Sequence, residues 1–320
     1  MENVNDFNDI NRSHCGTYFS VGFDFIQPNA DLPYELYVNS SSLKDREKFV
    51  KLIKTKNFIT KEDLKLYEAK YHRLYVPESQ RELYIKNVLD WKGKKDNEKI
   101  SVLKDSAISY LSNVFNKEKV LTTGMLKDNI QRCREVVSQI VDVIENYNVD
   151  GLRELIGSLS FHDFYTYDHS INVSMYCIIL FKSICPSAHK SEVITAGMGG
   201  LFHDLGKIKI PTELLNWTGK LSEEQFEVIK KHPGYGYELL KTTKLDYSKG
   251  VDPLLVRRVI NEHHENFDGT GYPSKVAYDD IHLLARICAV ADFFDAVTTK
   301  RSYQDPLSVS DAFSLMLKYT

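Results

Sequence analysis

No two cysteines in this sequence stand at C-x-x-C spacing; the five, Cys15, Cys133, Cys177, Cys185 and Cys288, are odd in number and scattered. That argues against a disulfide framework or a thiolate zinc site and makes a reducing cytoplasm the natural setting. Long apolar runs are missing too. The most apolar stretch, Ile171 to Phe181, is about half the length a bilayer-spanning helix needs and carries Asn172 and Ser174. The N-terminus, MENVNDFNDINRS, has no apolar core and does not read as a signal peptide. Nor is there an excess of positive charge. Forty-one Lys and Arg against 44 Asp and Glu give a net charge of −3, which offers no footprint for a nucleic-acid polymer or an anionic membrane. The expectation is a soluble cytoplasmic protein, and 320 residues suffice for two domains with cores of their own.

Tyrosine and phenylalanine are plentiful, at 19 and 16, and such residues more often build cores than binding platforms. From Thr17 to Asn39, the residues Phe19, Phe23, Phe25, Tyr34, Leu36 and Val38 predict strands broken by Pro28 and Pro33. Lys44 to Lys56 reads as a short helix, and Thr60, followed by Glu62 and Asp63, caps another through Ala69. Leu74-Tyr75-Val76 returns to strand, and Gln80 to Trp91 is helical. Residues 1–92 thus read as a small α/β regulatory or interaction domain, a surface for a signalling partner protein. The charged stretch Lys92 to Lys99 marks a hinge, and residues 93–124 a linker and connecting helix. Beyond it the pattern is helical. Leu126, Ile130, Cys133, Val137, Ile140 and Ile144 recur in steps of three and four. A core-facing helix is the commoner source of such a stripe; a parallel helix in a homodimer is the other.

Chemistry concentrates in five later segments. His169 lies in Tyr165 to Val173, His203 and Asp204 in Gly199 to Lys207, and His232 follows a helix that Ser222 and Gln225 start as a capping box. His263 and His264 end a helix begun near Pro253, and Asp292 sits in the apolar run Ile287 to Asp295. A lone His or Asp in a helix is more often a satisfied core residue than a ligand. Asp292, however, is flanked by Val290, Ala291, Phe293 and Phe294, and a buried carboxylate needs a cation or several donors to offset its desolvation. Imidazoles and carboxylates without thiolates suit iron, manganese or zinc. Seven candidate ligands exceed what one tetrahedral ion uses, so two divalent ions are expected, with an Asp as the natural bridge.

His203-Asp204-x-Gly206-Lys207, with His263-His264-Glu265-x-x-Asp268-Gly269-x-Gly271-Tyr272-Pro273, resembles the HD-GYP phosphodiesterases, a branch of the HD metal-dependent phosphohydrolases. Ile210-Pro211 through Gly219-Lys220-Leu221, Lys231-His232-Pro233 and Ala291 to Ala296 also match, and the likeness covers about residues 125–310. The resemblance implies a mainly α protein, with an all-helical HD-type bundle over residues 125–320 behind the α/β domain. His169, His203, Asp204, His232, His263, His264 and Asp292 would bind two divalent ions, iron first, with Asp204 as the bridge. Some relatives hold a third ion through a Glu four residues before the first histidine; Tyr165 stands there.

The implied substrate is cyclic di-GMP or a related cyclic dinucleotide, opened to linear pGpG and sometimes on to GMP. Lys207 would donate to a phosphate oxygen and, with Asp204, serve catalysis; Gly269, Gly271 and Tyr272 would face substrate, Arg301 would hold phosphate or guanine, and Phe267 would pack. Three positions depart from the family's usual cations: Trp217 replaces a lysine, Asn266 follows Glu265, and Gln304 follows Arg301. Each lost charge-assisted contact to a dianion is worth on the order of 1.5–3 kcal/mol. Trp217 could stack on guanine instead. The alternatives are a weak or inactive module that binds a cyclic dinucleotide or a partner, and an enzyme for another cyclic nucleotide. Relatives continue past the helix Val309 to Tyr319, so the end at Thr320 reads as a shorter closing segment.

Overall fold

The computed structural model describes residues 17–41, 47–115, 122–145, 147, 166–243, 250–299 and 306–319. They fall into two compact units, Met1–Val102 and Leu103–Thr320. The first is built on a four-stranded antiparallel sheet: β1 (Tyr18–Val21), β2 (Leu36–Asn39), β3 (Phe49–Ile53) and β4 (Leu74–Pro77), in the order β1-β4-β2-β3. Leu36 and Val38 alternate inward along β2 and are buried with Val21, Leu74 and Val76. Helices α1 (Lys61–Glu68) and α2 (Arg81–Asp90) complete the unit. Thr60 and Asp63 form a reciprocal capping box at the start of α1.

The helix expected over Lys44–Lys56 is not there, since Phe49–Ile53 forms a strand. Local pattern lost to pairing: Val50 and Phe49 sit opposite Val38 and Asn39, and the Asn39 side chain accepts the Lys48 and Ser41 amides to close the hairpin. Phe23–Phe25 is a single 3-10 turn rather than strand. The expected hinge is shorter as well. Helix α3 (Asp96–Phe115) takes up its second half, and the division between the units falls within that helix.

The second unit is helical: α4 (Thr123–Ile144), α5 (Thr166–Ile184), α6 (Lys190–Phe202), α7 (Thr212–Leu215), α8 (Glu223–Ile229), α9 (His232–Thr243), α10 (Pro253–Glu262), α11 (Leu283–Thr298) and α12 (Val309–Tyr319). No helix among the described residues is long and apolar enough to cross a membrane. Helix α6 is its centre, buried without interruption from Val193 to Phe202 and packed by α4, α5, α10 and α11. The apolar stripe of α4, from Leu126 to Ile144, is buried within the chain, so it is a core face rather than a surface left for a second copy.

Beyond α6 the chain tightens into a 3-10 turn, Leu205–Lys209, which lies against the start of α9. A Cβ on Gly206 would come within 1.8 Å of the His232 carbonyl oxygen. Only glycine lets these two backbones approach, and the approach brings Asp204 up to His232. Gly206→Ala is therefore expected to destabilise the helical unit by about 3 kcal/mol or more, since the clash is with backbone that cannot rotate away. Denaturant unfolding monitored by circular dichroism measures it; an unchanged midpoint would sink the close-approach account.

Candidate metal centre

Each of the seven residues singled out in the sequence reaches one cluster. His169 comes from the first turn of α5, His203 and Asp204 from the end of α6, His232 from the first turn of α9, His263 and His264 from the end of α10, and Asp292 from the middle of α11. Three of the imidazoles are oriented in the same way. The Nδ1 of His203 donates to the Gly200 carbonyl at 2.7 Å, that of His232 to Ile229 at 2.9 Å, and that of His263 to Ile260 at 2.8 Å. A carbonyl can only accept, so each Nδ1 carries the proton and each Nε2 is left with a lone pair. In His169, Nδ1 instead meets the Asp295 carboxylate at 2.7 Å.

The free nitrogens converge. Trios able to share a cation are His232, His263 and His264; His169, His203 and Asp292; and His203, Asp204 and His263, with ligand atoms within 4.8 Å in each. The third trio shares one histidine with each of the others, and Asp204 stands between them. Its Oδ2 is 3.3 Å from His203 Nε2, and its Oδ1 is 3.3 Å from His232 Nε2. Two features fit the set to cations. His232 Nε2 and His263 Nε2 face each other at 3.3 Å, lone pair against lone pair, an arrangement that only a shared positive charge relieves. His203 Nε2 and Asp204 Oδ1 are buried without a hydrogen-bond partner, a cost of about 1–3 kcal/mol each unless something binds them.

Electrostatics agree. Burial, followed by the neighbouring imidazoles of His264, His203 and His232, holds His263 well below the usual imidazole range. Burial pushes His264 down to about 4. Both rings are thus neutral, as ligands must be. Burial would also lower His169, but its hydrogen bonds to Asp292 and Asp295 raise it to about 9; a proton there sits where a cation of the second trio would. For Asp204 burial works against ionisation, yet the neighbouring His203 ring and the Lys207 ammonium hold its carboxyl well below the carboxylate range. Asp292 is likewise lowered against burial, by the hydrogen bond from His169 and the field of His203.

Around this cluster lies a rim. Lys207 Nζ donates to Asp204 Oδ2 at 2.6 Å, from a 3-10 turn rather than a continued α-helix. Tyr272 stacks on His264 with ring centroids 4.8 Å apart, and its hydroxyl is raised by burial and then by Asp204 and Asp292. The loop between them folds onto itself. Gly269 adopts φ +79°, and a Cβ on Gly271 would meet Asn266 N at 2.2 Å, so these glycines close the loop on its own backbone. Trp217 is 55% exposed, and the expected packing of Phe267 amounts to surface contacts with the Tyr278 ring and the Arg286 guanidinium, since the ring is also 55% exposed. Arg301, Gln304 and Tyr165 lie outside the described residues.

Sequence reasoning missed four contributors. Asp295 is wholly buried and orients His169; its position three residues after Asp292 in an apolar helix was the available signal. Glu265 is buried and accepts the Ser274 and Lys275 amides through Oε1 at 2.6 and 3.0 Å, which ties the loop back beside His264. Phe226 of α8 and Lys230 at its C-cap flank Tyr272, at 6.4 Å between ring centroids and 5.9 Å from ammonium to ring. Nothing in the spacing of α8 marks them.

The sequence profile of the HD domain family matches residues 167–320, which contain all seven residues of the cluster. Among curated proteins, a cyclic di-GMP phosphodiesterase of Pseudomonas aeruginosa is 30% identical over 220 residues, covering 67% of this chain and 51% of the relative. A 3'3'-cGAMP-specific phosphodiesterase of Vibrio cholerae is 35% identical over 43% of this chain and 25% of its own length. The cyclic di-GMP phosphodiesterase response regulator of Xanthomonas campestris is 39% identical over 40% and 32%. The chain thus spans about half or less of these relatives. A solved structure of an HDG"Y"P protein from Bdellovibrio bacteriovorus superposes with a TM-score of 0.57 over 95% of this chain and 94% of that one, at 19% identity, and so shares the fold. Residues 167–320 thus match the HD domain family, and the motifs His203-Asp204 and Gly271-Tyr272-Pro273 lie inside that matched region.

Proposed function

We propose that this chain is a metal-dependent phosphodiesterase that hydrolyses cyclic di-GMP to linear pGpG and on to GMP, with residues 125–320 as the hydrolase domain and 1–92 as a regulatory or partner-binding domain. One observation carries the reading: seven imidazole and carboxylate groups from five segments converge in trios whose ligand atoms lie within 4.8 Å, and two of their atoms, His203 Nε2 and Asp204 Oδ1, are buried without a hydrogen-bond partner. His169, His203, Asp204, His232, His263, His264 and Asp292 would hold two divalent cations, iron first and manganese or zinc otherwise, with Asp204 between them. Such cations supply Lewis acidity to a phosphodiester and acidify a water. The chain's own groups do the rest. Lys207, which donates to Asp204, would turn to a phosphoryl oxygen and neutralise the charge that builds as the P–O bond breaks. Tyr272, fixed on His264, offers a ring and hydroxyl to the dinucleotide, Gly269 and Gly271 hold the loop against it, and Arg301 would contact phosphate or guanine. Relatives named for cyclic di-GMP and for 3'3'-cGAMP support a cyclic dinucleotide as the substrate class.

A second reading, a module that binds the dinucleotide without turning it over, is favoured by the loss of rim cations at Trp217 and Asn266, both exposed. Product chromatography and calorimetry on one metal-loaded sample separate the two. Turnover to pGpG supports the enzyme; binding without product supports the module.

Metal is expected to stabilise the fold. Manganese at 100 times its dissociation constant should add about 2.7 kcal/mol per occupied site to the unfolding free energy of stripped protein, visible as a raised midpoint. His263→Ala should abolish most of that gain, because His263 belongs to two trios.

In the loaded enzyme, Lys207→Ala is expected to lower kcat about 100-fold. Trp217→Lys is expected to lower KM about tenfold, the equivalent of one restored charge-assisted contact. Steady-state assays on cyclic di-GMP check both.

A further inference from the structure

Behind His169 lies a buried polar chain that the ligand set does not use. The Asp295 carboxylate, wholly buried, takes His169 Nδ1 on Oδ2 at 2.7 Å and Asn172 Nδ2 on Oδ1 at 3.0 Å. Asn172, itself buried, accepts Lys104 Nζ on its Oδ1 at 2.9 Å. His169 and Asn172 stand three residues apart on α5, and Asp292 and Asp295 three apart on α11. The two pairs therefore interlock across one helix contact, and α3 brings the lysine to the far end.

The direction of this chain is set at one end. An amide side chain has one donor end and one acceptor end, and Asp295 needs the donor. An ammonium has only donors, so Lys104 at the Asn172 carbonyl forces the amide to present Nδ2 to Asp295. With the amide flipped, a carbonyl would oppose a buried carboxylate. Lys104 also places a positive charge near Asp295, with Asp105 and Asp168 close by. This matters most when His169 is neutral and binds a cation through Nε2, because the ring then contributes no charge to offset Asp295.

We propose that Lys104 is a positioning residue for the metal centre: by fixing the Asn172 amide it holds Asp295, and through it the His169 ring, for the cation of the His169, His203 and Asp292 trio. The inference rests on the two-cation reading above and assigns Lys104 to one of the two positions. Removing it should weaken that position and spare the cation of His232, His263 and His264.

The test uses the full chain, stripped and titrated with manganese by calorimetry, with metal content read by elemental analysis after desalting. Wild type is expected to show two sites. Lys104→Met should weaken one of them about 10–100-fold and leave the other unchanged, so that desalted protein retains about one ion. Lys104→Arg, which restores a cationic donor, should recover most of the loss. Matching far-ultraviolet dichroism of the metal-free forms controls for folding, and Lys104→Gln is read in place of Lys104→Met if the latter does not fold. Two sites of wild-type affinity in a folded variant overturn the proposal. Uniform weakening of both sites also overturns it. Wild type with two sites but no turnover of cyclic di-GMP would sink the substrate reading alone, whereas wild type with fewer than two would sink both.

Discussion

An imidazole binds a cation only through a nitrogen that carries no proton, and three backbone carbonyls decide which nitrogen that is. Gly200, Ile229 and Ile260 each stand three residues before their histidine, at a helix end or in a tight turn where a carbonyl is left over from the regular ladder. The same local geometry thus satisfies an orphan acceptor and selects the tautomer. Much else follows from this. With Nδ1 occupied, every Nε2 must point into a shared space, and that space collects unmet polar atoms that the rest of the fold has to surround and exclude from water.

The surroundings are built to hold this arrangement still. Helix α6 is buried on every side, so His203 and Asp204 at its end cannot drift relative to the helices that carry the other ligands. Where α6 stops, Gly206 lets the turn that follows touch the backbone of α9. On the far side, His169 is held by a carboxylate rather than a carbonyl, which makes that position the more polarised of the four oriented rings.

How much of this was legible in the sequence depended on range. The ligand residues were readable because each motif is local: a His-Asp pair, a His-His-Glu run and a Gly-Tyr-Pro turn survive as strings. The helix that precedes His232 and the one that leads to His263 were readable too, since the capping box at Ser222 and the start at Pro253 are local signals that the structure keeps. Phe49–Ile53 was misread because its conformation is decided by pairing with β2, a contact that no helical or strand period within the segment announces. Asp295, Glu265 and Lys104 were missed for a related reason. Each acts through a partner distant in sequence or through loop amides; the place of Asp295 three residues after Asp292 was the one local signal, and the spacing of Glu265 and Lys104 says nothing about where their hydrogen bonds go.

The loop after α10 carries a consequence for ligand binding. His264 and Tyr272 share one stacked contact, and Glu265 ties the chain between them to the amides of Ser274 and Lys275. Under the proposed function, a cation held by His264 would therefore also order the ring offered to the dinucleotide. Two such events on one stiff loop cannot be thermodynamically independent. Whatever factor metal loading adds to dinucleotide affinity, the dinucleotide must add to metal affinity, so that occupancy of each site is a readout of the other.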